Sequence, residues 1–154
     1  MSSPTITVSV VYGVGSRGSR IAATFVNGVG PGGRQVYRRL QYVKAACVSS
    51  SRLDILQLSA FQPNGLYVIG DGTSSAMNPD KGRKDYLDSS QRKAIVEEAA
   101  KAAEEKGYDR IDVIPVVATL GFGCGFGAGS RFSQKVSELM HHRNMCTALR
   151  LGRT

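Results

Sequence analysis

Apolar and polar positions along the chain fall into short runs that switch between strand and helix character. TITVSVVY (5–12) is a β-rich apolar run that closes on glycine, as a buried strand does. GVGSRGSR (13–20) interrupts it, and IAATFVNGV (21–29) resumes with apolar spacing that suits a short helix. GPGGR (30–34) reads as a loop, QVYRRLQY (35–42) as a helical or irregular lead, and VKAACV (43–48) as the second strand. LDILQLSAF (53–61) begins as a short helix and GLYVIG (65–70) is a brief strand. The polar, turn-rich loop DGTSSAMNPDKGRK (71–84) follows. From Asp85 to Lys106 the chain is dense in Ala, Glu and Lys, which predicts a long helix that Gly107 stops. RIDVIPVVATL (110–120) predicts a long buried strand, although Pro115 argues against a central place in a sheet. RFSQKVSELMHH (131–142) is an amphipathic helix and MCTALRL (145–151) a last strand. Strands alternating with helices predict a three-layer, Rossmann-like α/β fold, a mostly parallel sheet flanked by helices.

Composition narrows the class without naming a function. A chain of 154 residues, 42% apolar, is one domain able to bury a core. Three cysteines, Cys47, Cys124 and Cys146, have no CxxC pairing, which argues against zinc and fits a reducing compartment. No secretory signal opens the chain and no run approaches the roughly 18 apolar residues of a membrane span, so a cytoplasmic protein is expected. The formal charge is +8 and unevenly placed: Arg17, Arg20, Arg34, Arg38, Arg39, Lys44 and Arg52 all precede the first acid, Asp54. Such a half suits a phosphate-bearing partner, nucleotide or nucleic acid, or is simply a solvated basic face. His141 and His142 end a predicted helix, where a cation complements the dipole, and lack the spacing of a metal pair. The Glu97-Glu98 and Glu104-Glu105 pairs read as solvated helix face.

Chemistry concentrates in the glycines. Gly13-Val14-Gly15-Ser16-Arg17-Gly18 matches GxGxxG after the first strand, and GFGCGFGAGS (121–130) places glycine at every second position after the 110–120 strand. Each run stands between a strand and a helix, where unpaired N–H groups suit an anion and absent β-carbons allow close approach. Tight turns alone would also use glycine, but two such loops on one sheet edge point to a polyphosphate between them. A dinucleotide is one candidate. An NAD site wants an acid near the end of the second strand, whereas this chain has Ser49-Ser50-Ser51-Arg52, suited instead to the 2′-phosphate of NADP. Cys124, at a predicted helix N-terminus, is a candidate for a lowered thiol pKa, packing being the commoner role.

Order and spacing of these loops resemble the tubulin/FtsZ superfamily of GTPases over about residues 5 to 152. GVGSRGSR (13–20) is similar to the family's opening phosphate loop, GVGGGGSN in bacterial FtsZ. CVSSSRLDILQLS (47–59) resembles AVNTDAQALLMS, and GTSSAMNPDKGRK (72–84) resembles GLGAGANPEVGRK, sharing Gly72, Asn78, Pro79, Gly82, Arg83 and Lys84. GCGFGAG (123–129) falls where GGGTGSG belongs. The resemblance implies a GTP- or GDP-binding domain, with magnesium, that assembles with itself or with other chains. It implies that Gly13, Gly15, Ser16, Arg17, Gly18, Ser19 and Arg20 form the first phosphate loop. Ser75 and Ala76 would lie near the γ-phosphate, and Gly123, Cys124, Gly125, Phe126, Gly127, Ala128 and Gly129 would cradle the α- and β-phosphates.

Departures from the family shape the expected function. Ser51 stands for the family's second-loop acid, Phe126 for its signature threonine, and Ser74 and Ala76 for third-loop glycines. The sequence stops before the family's guanine-reading helix, catalytic loop and second domain. The expectation is a divergent structural or assembly protein without self-activated GTP hydrolysis. Either its phosphate site survives, or Phe126 fills the vacated pocket and no nucleotide binds. Two readings stand beside it: an NADP-binding oxidoreductase fragment, and a basic scaffold piece of a larger particle or nucleoprotein assembly.

Overall fold

A computed structural model describes residues 6–27, 40–58, 65–107, 111–119, 123–142 and 149–151. The predicted loop at 30–34 and residues 35–39, 59–64 and 145–148 of the predicted elements lie outside them. The described elements run β1 (Ile6–Val14), α1 (Gly15–Asn27), β2 (Leu40–Ser49), α2 (Arg52–Leu58), β3 (Leu66–Val68), α3 (Pro79–Leu87), α4 (Arg92–Glu105), β4 (Pro115–Ala118), α5 (Gly123–His142) and β5 (Leu149–Leu151). Five strands form one sheet in the order β3-β2-β1-β4-β5, every neighbouring pair parallel. The three-layer α/β expectation is met.

Alternation along the strands builds the layers, because successive side chains leave opposite faces of a sheet. Val10, Tyr12 and Val14 of β1, with Ala46 and Val48 of β2 and Val116 of β4, pack against Tyr86, Ile95, Ala99 and Phe132 from α3, α4 and α5. On the opposite face, Val11, Ala45 and Val117 meet Ala22 of α1, while Cys47 meets Ala23 of α1 and Ile55 and Leu58 of α2. Tyr12 is fully buried with its polar end satisfied: its hydroxyl donates to Ile95 O at 2.7 Å and accepts from Ala99 N at 3.1 Å. Its ring meets Phe132 edge-on at 4.7 Å, tying the central strand to α5.

Several boundaries differ from the sequence expectation for identifiable reasons. The long helix expected from Asp85 to Lys106 is two helices, and the first starts at Pro79, inside the expected loop. Asn78 caps α3 by accepting from Asp80 N and Lys81 N, and Pro79 fits the first helical position because it has no N–H to satisfy. At the break, Asp88 N and Ser89 N donate back to Lys84 O and Tyr86 O, closing α3, while Ser89 Oγ accepts from Gln91 N. Serine there offers the backbone a local alternative to continued helix. Of residues 111–119, the described part of the predicted 110–120 strand, only Pro115–Ala118 is strand, and Pro115 stands at its first position, which a sheet tolerates. The last helix gains eight residues, because α5 takes in Gly123–Ser130 as well as the predicted 131–142.

Glycine at alternate positions acquires a helical meaning in α5. Gly123 and Gly127 share one face, Gly125 and Gly129 the other, since residues four apart stack on a helix. A β-carbon on Gly127 would stand 1.9 Å from Pro79 O, and one on Gly82 of α3 would stand 2.4 Å from Gly123 O. On the opposite face, β-carbons on Gly125 and Gly129 would meet Thr119 O at 2.8 Å and the Ala118 side chain at 2.9 Å. The helix is thus held against α3 on one side and the end of β4 on the other, at a spacing only glycine permits.

Candidate functional site

Strand order fixes where a ligand crevice lies in this fold. In an open α/β sheet it forms beyond the carboxyl ends of the strands, where neighbouring strands feed helices on opposite faces. Here β1 leads into α1 on one face and β4, its neighbour, leads into α5 on the other. A cleft of about 270 Å³ opens at that point. Val14, Gly15, Ser16, Arg17 and Arg20 form one wall, and Thr119, Gly123, Cys124 and Gly125 form the facing one. Ser49, Ser50 and Ser51 close it from the end of β2, and Ser74, Ser75 and Met77 from the 72–78 loop.

The first helical turns of α1 and α5 both face this space, each with unpaired N–H groups and partial positive charge. Two guanidinium groups and seven hydroxyls line the cleft, and no carboxylate does among the described residues. Asp54, in the first turn of α2, accepts a hydrogen bond from Ser16 Oγ. Arg20 reaches Gln57 Oε1 at 3.1 Å from an exposed position. No group of three His, Cys, Asp or Glu side chains suited to a metal occurs among the described residues.

Close loop packing builds the cleft, and the glycines serve that packing first. Gly15 has φ +80°, and a β-carbon there would approach Gly125 N to 2.9 Å, so the two glycine turns touch. A β-carbon on Gly123 would fall 2.3 Å from Ser75 Oγ, which brings in the third loop. That loop is tied to β2 by its backbone: Ser74 N donates to Ser50 O at 2.8 Å and Ser75 N to Ser50 Oγ at 3.0 Å. Ser74, Ala76 and Met77 all hold positive φ (93°, 49° and 62°), conformations that cost a side-chain-bearing residue.

No protein-family model matches the sequence, and none of the curated proteins does. The chain is similar to the GDP-bound monomer of CetZ1 from Haloferax volcanii, with a TM-score of 0.67 and 19% identity over 96% of this chain and 41% of that one. It is also similar to CetZ2 from the same organism, solved as a GTPγS-bound protofilament (TM-score 0.66, 20% identity, 96% and 39% covered). TubZ of Clostridium botulinum phage c-st aligns with a TM-score of 0.61 and 17% identity over 95% of this chain and 40% of that one. The chain has a tubulin/FtsZ-like fold. It spans about two fifths of the length of these structures. No described helix is long and apolar enough to cross a membrane.

Within this tubulin/FtsZ-like fold, the expected site residues divide into two groups. Gly15, Ser16, Arg17, Arg20, Ser75, Gly123, Cys124 and Gly125 meet at the cleft. The others do not line it. Gly13 lies within β1 under Ser19, whose hydroxyl donates to Gly13 O at 3.2 Å, and Gly18 presses on Val117 O. Ala76 is exposed beside the cleft loop, Ala128 is in the core, and Gly127 and Gly129 hold the helix packing. Phe126 does not fill the cleft: it is 47% exposed and faces a separate depression with Pro79, Asp80 and Arg83. Helical periodicity explains this, because one residue beyond Gly125 the side chain points away from the cleft wall.

Cys124 takes the packing role, the commoner of the two expected, and not the reactive one. Burial pushes its thiol up, outweighing opposing hydrogen bonds with Ser50, so the helix N-terminus does not activate it. Glu98 is not plain solvated face either, since Tyr67 donates its hydroxyl to the Glu98 carboxylate. The cleft residues that sequence reasoning missed are Val14, Met77 and Thr119, and it weighed Ser49 and Ser50 only for NADP. The serine run at the end of the second strand was the available signal, since that end must border the crevice in this topology.

Proposed function

We propose that the cleft binds the phosphate chain of GTP or GDP, and that the protein works by assembly with itself or other chains rather than by turnover. Residues 1–154 act in this reading as one phosphate-binding unit. The observation that carries it is the meeting of two helix N-termini, Arg17 and Arg20 in one cleft that no carboxylate lines among the described residues. An anion gains there from oriented N–H groups and from charge-assisted hydrogen bonds. The volume, below the roughly 300–1,000 Å³ of whole-ligand pockets, suits the phosphates alone. Magnesium would ride on the phosphate oxygens, with the hydroxyls of Ser16 and Ser51 as the protein donors on offer. With serine at position 51 and no acid lining the cleft among the described residues, these residues bind and orient phosphate and offer no general base in direct reach of water there. Assembly is supported by the similar CetZ2 structure, which is a protofilament.

Calorimetric titration with GTP, GDP and NADPH tests the site. GTP and GDP should bind, NADPH should not, and Arg20→Ala should weaken the nucleotides roughly tenfold, the loss of one charge-assisted contact. Preference for NADPH, or no heat with any of the three, would overturn the reading. Electron microscopy with and without GTP tests the assembly: absence of any polymer or oligomer in both would remove that half.

A further inference from the structure

A second cavity, of about 530 Å³, lies where the end of α3 meets α4 and the middle of α5, and it shares no lining residue with the cleft. Its apolar part is Tyr86, Leu87 and Val96, and Leu87 is 40% exposed. Around it stand Arg92, Lys93, Arg131 and Lys135, against one carboxylate, Glu97. Lys93 pairs with Glu97 at 4.0 Å and Lys135 with Glu138 at 3.1 Å, but such solvent-exposed pairs hold weakly. The rim therefore presents net positive charge over an apolar floor.

Tyr86 forms the closed floor of the groove. It is only 1% exposed, yet its hydroxyl has no hydrogen-bond partner among the described residues. Burial pushes its pKa up to about 12 despite the opposing charge of Arg92, so the group remains a neutral donor at every ordinary pH. Tyr67, by contrast, has its carboxylate.

We propose that this groove docks an acidic amphipathic segment of a partner protein. Its apolar residues cover Leu87 and Val96, and its carboxylates face Lys93, Arg131 and Lys135. Two neighbouring helices with an apolar seam between charged edges are the setting in which an amphipathic helix binds. A nucleic-acid strand matches less well, because the one aromatic ring in the groove is buried and offers no stacking face. A second copy of this chain also matches less well, since it carries a net +8.

The test is fluorescence anisotropy with the whole chain and a labelled helical peptide of leucine and glutamate with all leucines on one face. A scrambled peptide of equal composition and a single-stranded oligonucleotide serve as comparisons. The patterned peptide should bind saturably and the scrambled one roughly tenfold more weakly, because only the first aligns its apolar face. The double variant Lys93→Glu, Lys135→Glu should weaken the patterned peptide about tenfold or more. Tyr86→Phe alters a group closed to any partner and should leave the peptide affinity unchanged. Equal binding of both peptides, displacement by the oligonucleotide, unchanged affinity in the Lys93→Glu, Lys135→Glu variant, or no saturable binding would each overturn the proposal.

Discussion

Ser74, Ala76 and Met77 hold left-handed backbone in the loop that borders the cleft, and a β-carbon makes that conformation cost about 1–2 kcal/mol per residue. The bonds from Ser74 N and Ser75 N to Ser50 hold the loop in place despite that cost. Ala76→Gly should therefore raise stability by about 0.5–1 kcal/mol, the relief of strain exceeding the added freedom of the unfolded chain. Urea denaturation measures it, and a loss of stability would mean that Ala76 is not strained. The sequence carried half of this: aligning Ser74 and Ala76 with glycines implied glycine-like backbone, but only the dihedral angles reveal that it persists beneath real side chains. Phe126 is the converse case. Placed by alignment in the phosphate cradle, it faces another depression, so Phe126→Thr should shift GTP affinity by less than about twofold, under ~0.5 kcal/mol, in the same titration. A side chain's direction depends on where the helix begins, and no residue type announces that α5 starts as early as Gly123.

Among the elements, α5 and α3 carry the firmest consequence. Their contact is backbone against backbone at Gly127–Pro79 and Gly82–Gly123, with no flexible side-chain end to yield. Gly127→Ala should cost about 3 kcal/mol, since overpacking must here move a carbonyl rather than a rotamer. A Gly107→Ala control isolates the packing effect: a β-carbon there meets nothing within 4 Å, so only the left-handed backbone (φ +70°) is penalised. Comparable losses in the two variants would refute the packing account. Element type was legible for most segments. Residues 40–42, expected in a helical or irregular lead, belong to β2, however, and residues 15–20, 79–84 and 123–130, expected as loops, are helical. The 85–106 helix splits because Asp88 and Ser89 turn their N–H groups back onto α3, a competition invisible to composition. The glycine run gave the opposite error, because period-two glycine looks like an extended loop and not like two faces of one helix.

The whole molecule is a parallel sheet whose centre buries groups that dislike ionisation. Burial raises the Cys47 thiol from an ordinary 9.0 to about 11 and the Tyr86 phenol from 10.0 to about 12. Both are neutral when protonated, so between those values the folded state keeps protons that the unfolded chain has lost. Their contribution is complete below pH 9, then falls by about 1.4 kcal/mol per pH unit for Cys47 between 9 and 11, with Tyr86 adding from 10 to 12. Urea midpoints at pH 8, 9, 10 and 11 should decline with that onset, and Cys47→Ala should flatten the decline between 9 and 11. An unchanged slope in the variant would place the alkaline sensitivity elsewhere. At this scale the sequence was most informative, since strands alternating with helices and two glycine turns led to the sheet class and to the edge where the cleft opens. What it lacked was depth: which of those glycines face a ligand space and which face protein.

Glycine in α5 has one further implication, for how such a chain can change over generations. Alanine is the smallest step away, and at Gly123, Gly125, Gly127 and Gly129 even that step collides with backbone or a fixed side chain, so substitution has no graded route. Phe126 among them and Ser130 just after them are exposed, while Cys124 and Ala128 are buried. In a saturation-mutagenesis map of residues 123–130, only Phe126 and Ser130, four apart on the exposed face, should tolerate substitution. Such a filter holds the four glycines in place while the side chain at position 126 varies.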